Sequence, residues 1–213
     1  MRMSRKVRAT LATVAALAGG TLLLAYRAIR WRNDPFDCPY AQRLWVELPR
    51  PFLTRSRLRQ ILAPKPGNRV LEVGPGTGYY ALHTARWLSP GGTLDVLDIQ
   101  QEMLDVTIRR ARERGIRNAV PTLGDARGLP YPDDTFDAAY LVVVLGEVTD
   151  QGHALEELRR VLKPDGRLVI GEWLLDPHMV RFGTLRARAE AAGLSVECRL
   201  GGAPAYFASF RSQ

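Results

Sequence analysis

A chain of 213 residues in which 46% are apolar and 24% are charged has the size and composition of one globular domain. These values exclude a disordered, collagen-like or disulfide-stapled chain as a description of the whole protein. The two cysteines, Cys38 and Cys198, lie far apart and belong to no CxxC pair. The sequence therefore predicts no metal site and no redox pair, and it favours a reducing compartment.

The net charge of +8 is distributed unevenly along the chain. Residues 1–66 carry 13 Arg and Lys against 3 Asp and Glu, a net charge of +10, whereas residues 67–213 carry 17 against 19, a net charge of −2. The basic excess therefore belongs to an N-terminal appendage that meets an anionic surface. This distribution does not favour a nucleic acid partner, which a basic domain would indicate.

The first predicted element is an apolar segment with basic flanks. Residues 9–26 contain no charged side chain, and basic residues stand on both sides of them. At ~1.5 Å per residue a helix of this length reaches roughly 27 Å, just enough for the hydrocarbon layer of a bilayer. We predict a membrane anchor over residues 1–30. A cleaved secretory signal and an interfacial or soluble helix remain alternatives.

A connector rich in aromatic residues and Arg follows over residues 31–66. Several prolines divide it into short pieces, and Arg55–Leu62 is the clearest helix among them. Aromatic residues alternating with Arg suit the headgroup layer of a membrane, and they suit equally well a set of amphipathic helices that pack over the next domain. We expect the aromatic residues around Tyr40 and Trp45 to cover the functional site.

From residue 67 to residue 213 short β-type runs alternate with longer amphipathic stretches, which predicts a parallel sheet with helices on both faces. The last two runs, Ser195–Leu200 and Tyr206–Arg211, are joined by Gly201, Gly202, Ala203 and Pro204 and predict an antiparallel hairpin. The predicted strands before them are Arg69–Val73, Thr93–Leu97, Val120–Leu123, Ala138–Val144 and Arg167–Gly171. The predicted helices are Tyr80–Leu88, Glu102–Arg114, Ala154–Leu162 and Thr184–Ala192.

A glycine-rich turn follows the first strand of this domain. Gly74, Gly76 and Gly78 lie between that strand and a helix, where glycines let a ligand approach the backbone and the helix offers N–H donors. A nucleotide-like ligand is indicated, although a merely tight turn is an alternative. The dinucleotide pattern G-x-G-x-x-G would require glycine at Tyr79, so NAD is disfavoured.

An acidic residue ends the second strand. Asp98 lies 20 positions after Gly78, where a carboxylate accepts hydrogen bonds from both ribose hydroxyls. Its alternative role is to cap the helix that begins near Gln101.

Two further motifs flank the next strands: Gly124-Asp125-Ala126 with Leu129–Asp137, and Leu158–Leu168. Together with the glycine turn they resemble the class I S-adenosylmethionine-dependent methyltransferases, and most closely the ubiquinone and menaquinone biosynthesis subgroup. This resemblance covers residues 68–173 and implies an α/β fold, a Rossmann-like three-layer αβα sandwich with a seven-stranded, mostly parallel sheet. It also implies S-adenosylmethionine as the cofactor.

The resemblance also implies a role for individual residues. Glu72, Gly74, Gly76 and Gly78 would surround the methionine part of the cofactor. Asp98 would hold the ribose, and Ile99 would lie on the adenine. The remaining cofactor residues would be Asp125 and Ala126 at the adenine edge, with Val144, Leu145 and Gly146 beneath the sulfonium.

The acceptor side carries no comparable motif. Many class I methyltransferases have a histidine or an aromatic residue near the end of the fourth strand, where this chain has Gly146 and Glu147. A sulfonium methyl group is already activated, so no catalytic side chain is obligatory. If the acceptor must lose a proton, the candidate bases are Glu147, His153, Asp176 and His178.

The sequence therefore predicts an enzyme, an S-adenosylmethionine-dependent methyltransferase tethered to the membrane with its catalytic domain in the cytoplasm. A tether favours a small lipophilic or lipid acceptor such as a quinone precursor, a phospholipid headgroup, or a hydrophobic thiol or phenol. Two alternatives remain: a methyltransferase for a soluble metabolite or a protein, and a non-catalytic module that binds the cofactor.

Overall fold

The computed structural model describes Tyr40, Glu47 and residues 50–212. The predicted anchor over residues 1–30 and most of the connector lie outside these residues. Within the part of the chain that is described, no helix has the length and apolar character needed to cross a bilayer.

Helices and strands alternate through the described region. The helices are α1 (Arg55–Leu62), α2 (Ala81–Trp87), α3 (Gln101–Glu113), α4 (Gln151–Val161) and α5 (Phe182–Ala191). The strands are β1 (Arg69–Val73), β2 (Thr93–Asp98), β3 (Ala119–Leu123), β4 (Phe136–Val142), β5 (Leu162–Trp173), β6 (Leu194–Gly201) and β7 (Ala205–Ser212). A single 3₁₀ turn, Leu145–Glu147, lies between β4 and α4.

The seven strands form one sheet in the order β3-β2-β1-β4-β5-β7-β6. Strands β1 to β5 pair in parallel, and β7 pairs antiparallel with both β5 and β6. The fold predicted from the sequence, a mostly parallel α/β sheet that ends in an antiparallel hairpin, is confirmed. The strand order reverses between β1 and β4, and open sheets of this type bind ligands at such a reversal.

Several strand boundaries differ from the sequence prediction, and the structure gives a reason for two of the differences. Strand β4 ends at Val142 rather than Val144, because Val143 has a φ of 60° and turns the chain out of the sheet. Strand β5 begins at Leu162, well before the predicted start at Arg167, because Phe136 of β4 already pairs with Leu162. The turn-like sequence from Lys163 to Gly166 therefore lies within the strand assignment.

The sheet has an apolar core on each face. Side chains of a strand point alternately to its two faces, so on β1 Leu71 and Val73 pack with α4 and α5 whereas Val70 packs with α1, α2 and α3. On β4, Leu141 and Tyr140 divide in the same way. Burial on both faces explains why the strand sequences are almost continuously apolar.

Helix α1 is fixed against the hairpin side of the sheet. The Arg167 guanidinium donates to the carbonyl oxygens of Ile61 and Leu62, each at 3.2 Å, and forms a salt bridge with Glu197 on β6 at 2.8 Å. These contacts satisfy backbone acceptors at the C-terminus of α1. The connector helix is therefore part of the folded domain.

Arg160 on α4 holds the loop that leads into β4. Its guanidinium donates to the carbonyl oxygens of Leu129 (3.0 Å) and Tyr131 (2.8 Å) and pairs with the carboxylates of Asp133 and Glu157, both at 2.7 Å. One side chain thus orders the segment whose sequence, Leu129–Asp137, was singled out above.

We expect Arg160→Met to destabilise the fold by ~2–4 kcal/mol, because two loop carbonyls and two carboxylates lose a charged donor. Urea unfolding followed by circular dichroism measures this change as a lower midpoint at an unchanged slope. Arg109→Met is the control, since Arg109 makes only an exposed pair with Glu113 at 3.8 Å and should cost less than ~1 kcal/mol. Equal midpoints for the two variants would contradict the role of Arg160.

Candidate functional site

A cleft with a cavity volume of about 180 Å³ opens where β1, β2 and β4 end. It lies at the carboxyl edge of the parallel strands, beside the reversal of strand order. Five segments supply its walls: Arg50, the glycine turn after β1 with Tyr79 and Tyr80, residues 97–103, residues 124–127, and residues 142–149.

The glycine turn lies directly on Val144. Gly74 has a φ of 68°, and a Cβ atom at that position would come within 2.5 Å of Val144 Cγ2. Only glycine allows this approach, so β1 and the exit of β4 form a continuous floor. Helix α3 holds the turn from the other side, because Thr107 donates to the Gly76 carbonyl at 2.8 Å and Arg110 donates to the Thr77 carbonyl at 3.1 Å.

The exit of β4 carries backbone strain. Val143 is β-branched and has a φ of 60°, a conformation that costs of order 1–3 kcal/mol and is found mainly at functional sites. The turn sends Val144 beneath Gly74 and brings Glu147 into the cleft wall. This turn could not be predicted from the sequence, because three consecutive valines favour a continuing strand.

The segment after β2 offers a carboxylate beside an apolar surface. Asp98 is 8% exposed, lines the cleft, and accepts a hydrogen bond from the Gln100 backbone N–H at 3.0 Å. Helix α3 takes Gln100 as its N-cap residue and makes no side-chain cap bond there. Ile99 also lines the cleft and is 44% exposed, so it presents an apolar face next to the Asp98 carboxylate.

The segment after β3 places Asp125, Ala126 and Arg127 in the cleft wall. The Asp125 carboxylate accepts from the Arg127 side chain, with the shortest contact at 2.6 Å, and this ion pair lowers the pKa of Asp125. Arg127 also donates to the Thr149 hydroxyl at 3.0 Å, and so links the segment after β3 to the segment after β4. Arg127 was not predicted as a site residue, because its role depends on this contact with Thr149, which is distant in the sequence.

Glu72, predicted near the methionine part of the cofactor, is 2% exposed and is not among the residues that line the cleft. Its carboxyl group accepts from the Tyr140 hydroxyl on β4 at 2.5 Å, and Tyr140 lies 3.0 Å from the Thr84 hydroxyl on α2. Burial raises the pKa of Glu72 to about 8. Glu72 therefore joins β1, β4 and α2 beneath the cleft.

Gly78 and Gly146 are also predicted site residues outside the cleft lining. A Cβ atom on Gly78 would meet Thr107 Cγ2 at 3.2 Å, so this glycine allows α2 to approach α3. A Cβ atom on Gly146 would overlap the His178 carbonyl oxygen, so the turn after β4 packs directly on the loop after β5. Both glycines shape the elements around the cleft.

The four candidate bases occupy three different environments. Glu147 lines the cleft. His153 lies on the exposed side of α4, 3.4 Å from Glu156, and is not among the cleft-lining residues. His178 is buried behind the cleft wall, with Nδ1 3.9 Å from the carboxylate of Asp176, and neither of these two residues lines the cleft.

A further buried carboxyl group, Glu172 at the end of β5, was missed by the sequence analysis. Glu172 accepts from the Val180 backbone N–H at 3.1 Å, and its second oxygen has no hydrogen-bond partner among the described atoms. Burial raises its pKa well above the usual range, and the charges of Asp176 and Glu147 raise it further. Glu172 therefore belongs to the structure behind Glu147.

The described connector residues contact the cleft and the helix beside it. The Tyr40 N–H donates to the Gln100 side chain at 3.1 Å, and Glu47 pairs with Arg110 on α3 at 2.8 Å. Arg50 lines the cleft and lies over the Tyr79 and Tyr80 rings at 5.7 and 5.9 Å. The Tyr80 hydroxyl in turn donates to the Leu53 carbonyl at 2.7 Å.

These residues fit an adenosyl ligand. The glycine turn lines the cleft at Gly74, Pro75 and Gly76, where its backbone can meet a ligand. Asp98 offers an acceptor for ribose hydroxyls, and Ile99 offers an apolar face for a purine. Asp125 and the Ala126 backbone lie in the same wall, within reach of a purine edge.

We expect Glu72→Gln to change how stability depends on pH. The folded protein keeps a proton on Glu72 up to a pKa of about 8, whereas the unfolded chain releases it near 4.5. Folding therefore binds a proton in this window, and the free energy of unfolding of the natural protein should fall by about 1.4 kcal/mol per pH unit relative to the variant. Urea unfolding of both proteins at pH 5, 6, 7 and 8 measures the difference. A difference that does not change with pH would show that Glu72 is ionised when buried.

Comparisons with known proteins agree with this site. The family described as ubiE/COQ5 methyltransferase matches residues 50–181. The ubiquinone/menaquinone biosynthesis C-methyltransferase UbiE of Cellvibrio japonicus is 41% identical over 113 residues, which are 53% of this chain and 45% of that protein. UbiE of Vibrio campbellii is 39% identical over 117 residues, with the same coverage of 53% and 45%. The match thus spans less than half the length of these relatives.

Two solved structures share the fold. A SAM dependent methyltransferase from Aquifex aeolicus superposes with a TM-score of 0.75 at 20% identity and covers 82% of this chain and 98% of its own. The [4+2]-cyclase SpnF superposes with a TM-score of 0.62 at 29% identity and covers 68% of this chain and 57% of its own. The family match, over residues 50–181, covers more than half of the chain. The chain therefore belongs to the ubiE/COQ5 methyltransferase family.

Proposed function

We propose that this protein is an S-adenosylmethionine-dependent methyltransferase. One observation carries the proposal: the glycine turn after β1, Asp98 after β2 and Asp125 after β3 line a single cleft, on a floor closed by Val144. Membership of the ubiE/COQ5 methyltransferase family supports the proposal. When bound, S-adenosylmethionine would supply an activated methyl group on its sulfonium.

The protein's own residues would bind and orient the two reactants. Asp98 would accept hydrogen bonds from the ribose hydroxyls, Ile99 would pack on the purine, and the glycine turn would hold the methionine part. Val144, packed beneath Gly74, closes the floor. Transfer from a sulfonium needs the acceptor in line with the methyl group, so these residues would act by holding the two reactants in position.

We propose a small lipophilic acceptor, and a quinone precursor in particular. The names of the UbiE relatives, which are ubiquinone and menaquinone biosynthesis C-methyltransferases, support this class. The cleft also offers Arg50 and Glu147, a cation and a carboxylate suited to an acceptor hydroxyl that must lose its proton.

The charge-free segment over residues 9–26 supports a tether to the membrane. We place the catalytic domain in the cytoplasm, where the cofactor is available. Such a tether would keep the cleft close to an acceptor dissolved in the bilayer.

Methyl transfer must be measured directly, because the structurally similar protein SpnF is a cyclase. The first test is calorimetric titration of the detergent-purified full chain with S-adenosylmethionine, its demethylated product S-adenosylhomocysteine, and NADH. Binding of the first two ligands without NADH is the expected result. Transfer of a radiolabelled methyl group to demethylated hydroquinones then tests the acceptor class. Absence of binding by both adenosyl ligands would overturn the proposal.

We expect Asp98→Ala to weaken S-adenosylhomocysteine binding by ~1–3 kcal/mol, or roughly 5- to 150-fold, because the ribose hydroxyls lose a charged acceptor. The matched control is Asp105→Ala, which removes an exposed carboxylate on α3 whose partner is the Gln101 side chain at 2.8 Å. Titration calorimetry measures the affinity of each variant for S-adenosylhomocysteine under conditions in which both variants are folded. Unchanged affinity in Asp98→Ala would remove Asp98 from the site.

We expect Glu147→Gln to slow methyl transfer by roughly 10²- to 10⁴-fold if the carboxylate accepts a proton from the acceptor. Affinity for S-adenosylhomocysteine should stay within about twofold, because a neutral amide of the same shape leaves the cleft intact. His153→Ala is the control, since His153 lies on the exposed side of α4. Equal rates for the two variants would show that Glu147 holds no proton in the reaction.

A further inference from the structure

Six large apolar side chains are exposed in the described part of the chain: Phe52, Ile99, Val120, Leu123, Leu174 and Leu175. Among the described residues, Leu174 and Leu175 are the most exposed of this type, at 62% and 73%. They are consecutive and follow β5 at the carboxyl edge of the sheet. Phe52, which is 47% exposed, stands two positions after the cleft-lining Arg50. We call Phe52, Leu174 and Leu175 the rim.

The turn that carries the two leucines is held on both sides. The Leu174 N–H donates to the Pro204 carbonyl at 2.8 Å, and the Asp176 N–H donates to the Trp173 carbonyl at 2.9 Å. These backbone bonds hold the turn on which the two leucines are exposed.

The rim borders the acceptor end of the cleft. Leu53, which follows Phe52, and Trp173, which precedes Leu174, pack in the same apolar core, so Phe52 and the leucine turn adjoin the same side of the sheet. The loop after β5 also packs on the turn that carries Glu147, because a Cβ atom on Gly146 would overlap the carbonyl oxygen of His178, three positions after Leu175. The purine end of the cleft, at Ile99 and Asp125, is formed by β2 and β3 and lies on the other side of β1.

Positive charge surrounds the aromatic member of the rim. Residues 50–62 contain four arginines and no acidic residue: Arg50, Arg55, Arg57 and Arg59. The Arg57 guanidinium donates to the Phe52 carbonyl at 3.0 Å, so a cation and an exposed aromatic ring share one surface. Aromatic and leucine side chains beside arginine suit the interface of an anionic bilayer, which attracts basic residues near its surface.

We propose that the rim inserts into the headgroup region of an anionic bilayer and turns the acceptor end of the cleft toward the membrane. This inference rests on the proposed function and extends it, because a lipophilic acceptor would then pass from the bilayer into the cleft without crossing water. The chemistry of the partner is a lipid surface that combines negative headgroups with an accessible apolar layer.

A bilayer fits the rim better than protein does. Three side chains offer far less than the ~800 Å² per partner that a stable interface between two copies buries. The described part of the connector lies elsewhere, since Tyr40 and Glu47 contact Gln100 and Arg110 beside β2 and α3. A lipid surface needs only a shallow apolar insertion and nearby cations.

Site-specific fluorescence in the full-length protein tests this placement. Cys38→Ser and Cys198→Ser provide a background in which Leu175→Cys carries one environment-sensitive dye. Val120→Cys is the matched control, because Val120 is 44% exposed on the edge strand β3, away from the rim. Vesicles of phosphatidylcholine with phosphatidylglycerol, containing lipids with quenchers at known depths, should quench the dye at position 175 and not at position 120.

Removal of the anionic lipid should reduce the quenching at position 175. Equal quenching at both positions, or quenching at neither, would overturn the proposal. A dye at position 175 that is shielded from water without being quenched would also overturn it, since residues 31–49 or a second copy would then cover the rim.

A functional measurement separates this proposal from the proposed function. The double variant Leu174→Ser, Leu175→Ser should bind S-adenosylhomocysteine as the natural protein does, and should show a KM at least about fivefold higher for a hydroquinone dissolved in vesicles. Val120→Ser should leave both values unchanged. An unchanged KM in the double variant would overturn the rim proposal. If the natural protein does not bind S-adenosylhomocysteine, the methyltransferase proposal is overturned instead.

Discussion

The contact between the Gly74 backbone and the Val144 side chain determines the shape of the site. It requires a glycine directly after β1 and a chain that turns sharply at Val143, directly after β4, with a φ of 60°. The cost of that turn is offset by the pairing of the neighbouring strands, since the Val143 N–H still donates to the Gly171 carbonyl at 2.8 Å. The floor of the cleft therefore forms where the chain after β4 is still hydrogen-bonded to β5.

The acidic residues around this floor fall into two groups, those buried beneath the cleft and those that line it. Glu72 on β1 and Glu172 on β5 flank the exit of β4, and burial raises the pKa of each. The hydroxyl of Tyr140, on β4 itself, is bonded to Glu72. Both groups bind a proton more readily than they do in water, so they add little negative charge below the cleft. Asp98 and Glu147, by contrast, line the cleft, where their carboxyl groups can meet a cationic ligand or an acceptor proton.

The sequence predicted the parts of this fold that depend on local signals. Helix α1 has the predicted bounds Arg55–Leu62, and the alternation of strands and helices yielded the parallel sheet and its final hairpin. Gly74, Asp98 and Asp125 could be placed near one another because the carboxyl ends of parallel strands share an edge. Periodicity and turn residues carry this information within a few positions of the chain.

Features that depend on distant contacts could not be predicted. The bond between Glu72 and Tyr140 joins residues 68 positions apart, and no pattern around either residue indicates it. The sequence likewise gave no sign that Arg127 bonds Asp125 and Thr149, or that Glu172 is buried behind Glu147. In each case a polar side chain acquires its role from its neighbours across the sheet, which only the folded chain defines.

The two ends of the cleft differ in how they are built. Short turns that directly follow β1, β2 and β3 form the cofactor end, so its geometry is tied to the sheet. The acceptor end combines Arg50, the turn that contains Glu147 and the loop after β5, three segments held together by contacts such as that of Gly146 with His178. Changes in these segments leave the strands and the glycine turn in place. One sheet can therefore keep its cofactor while loops alone decide which acceptor reaches the methyl group.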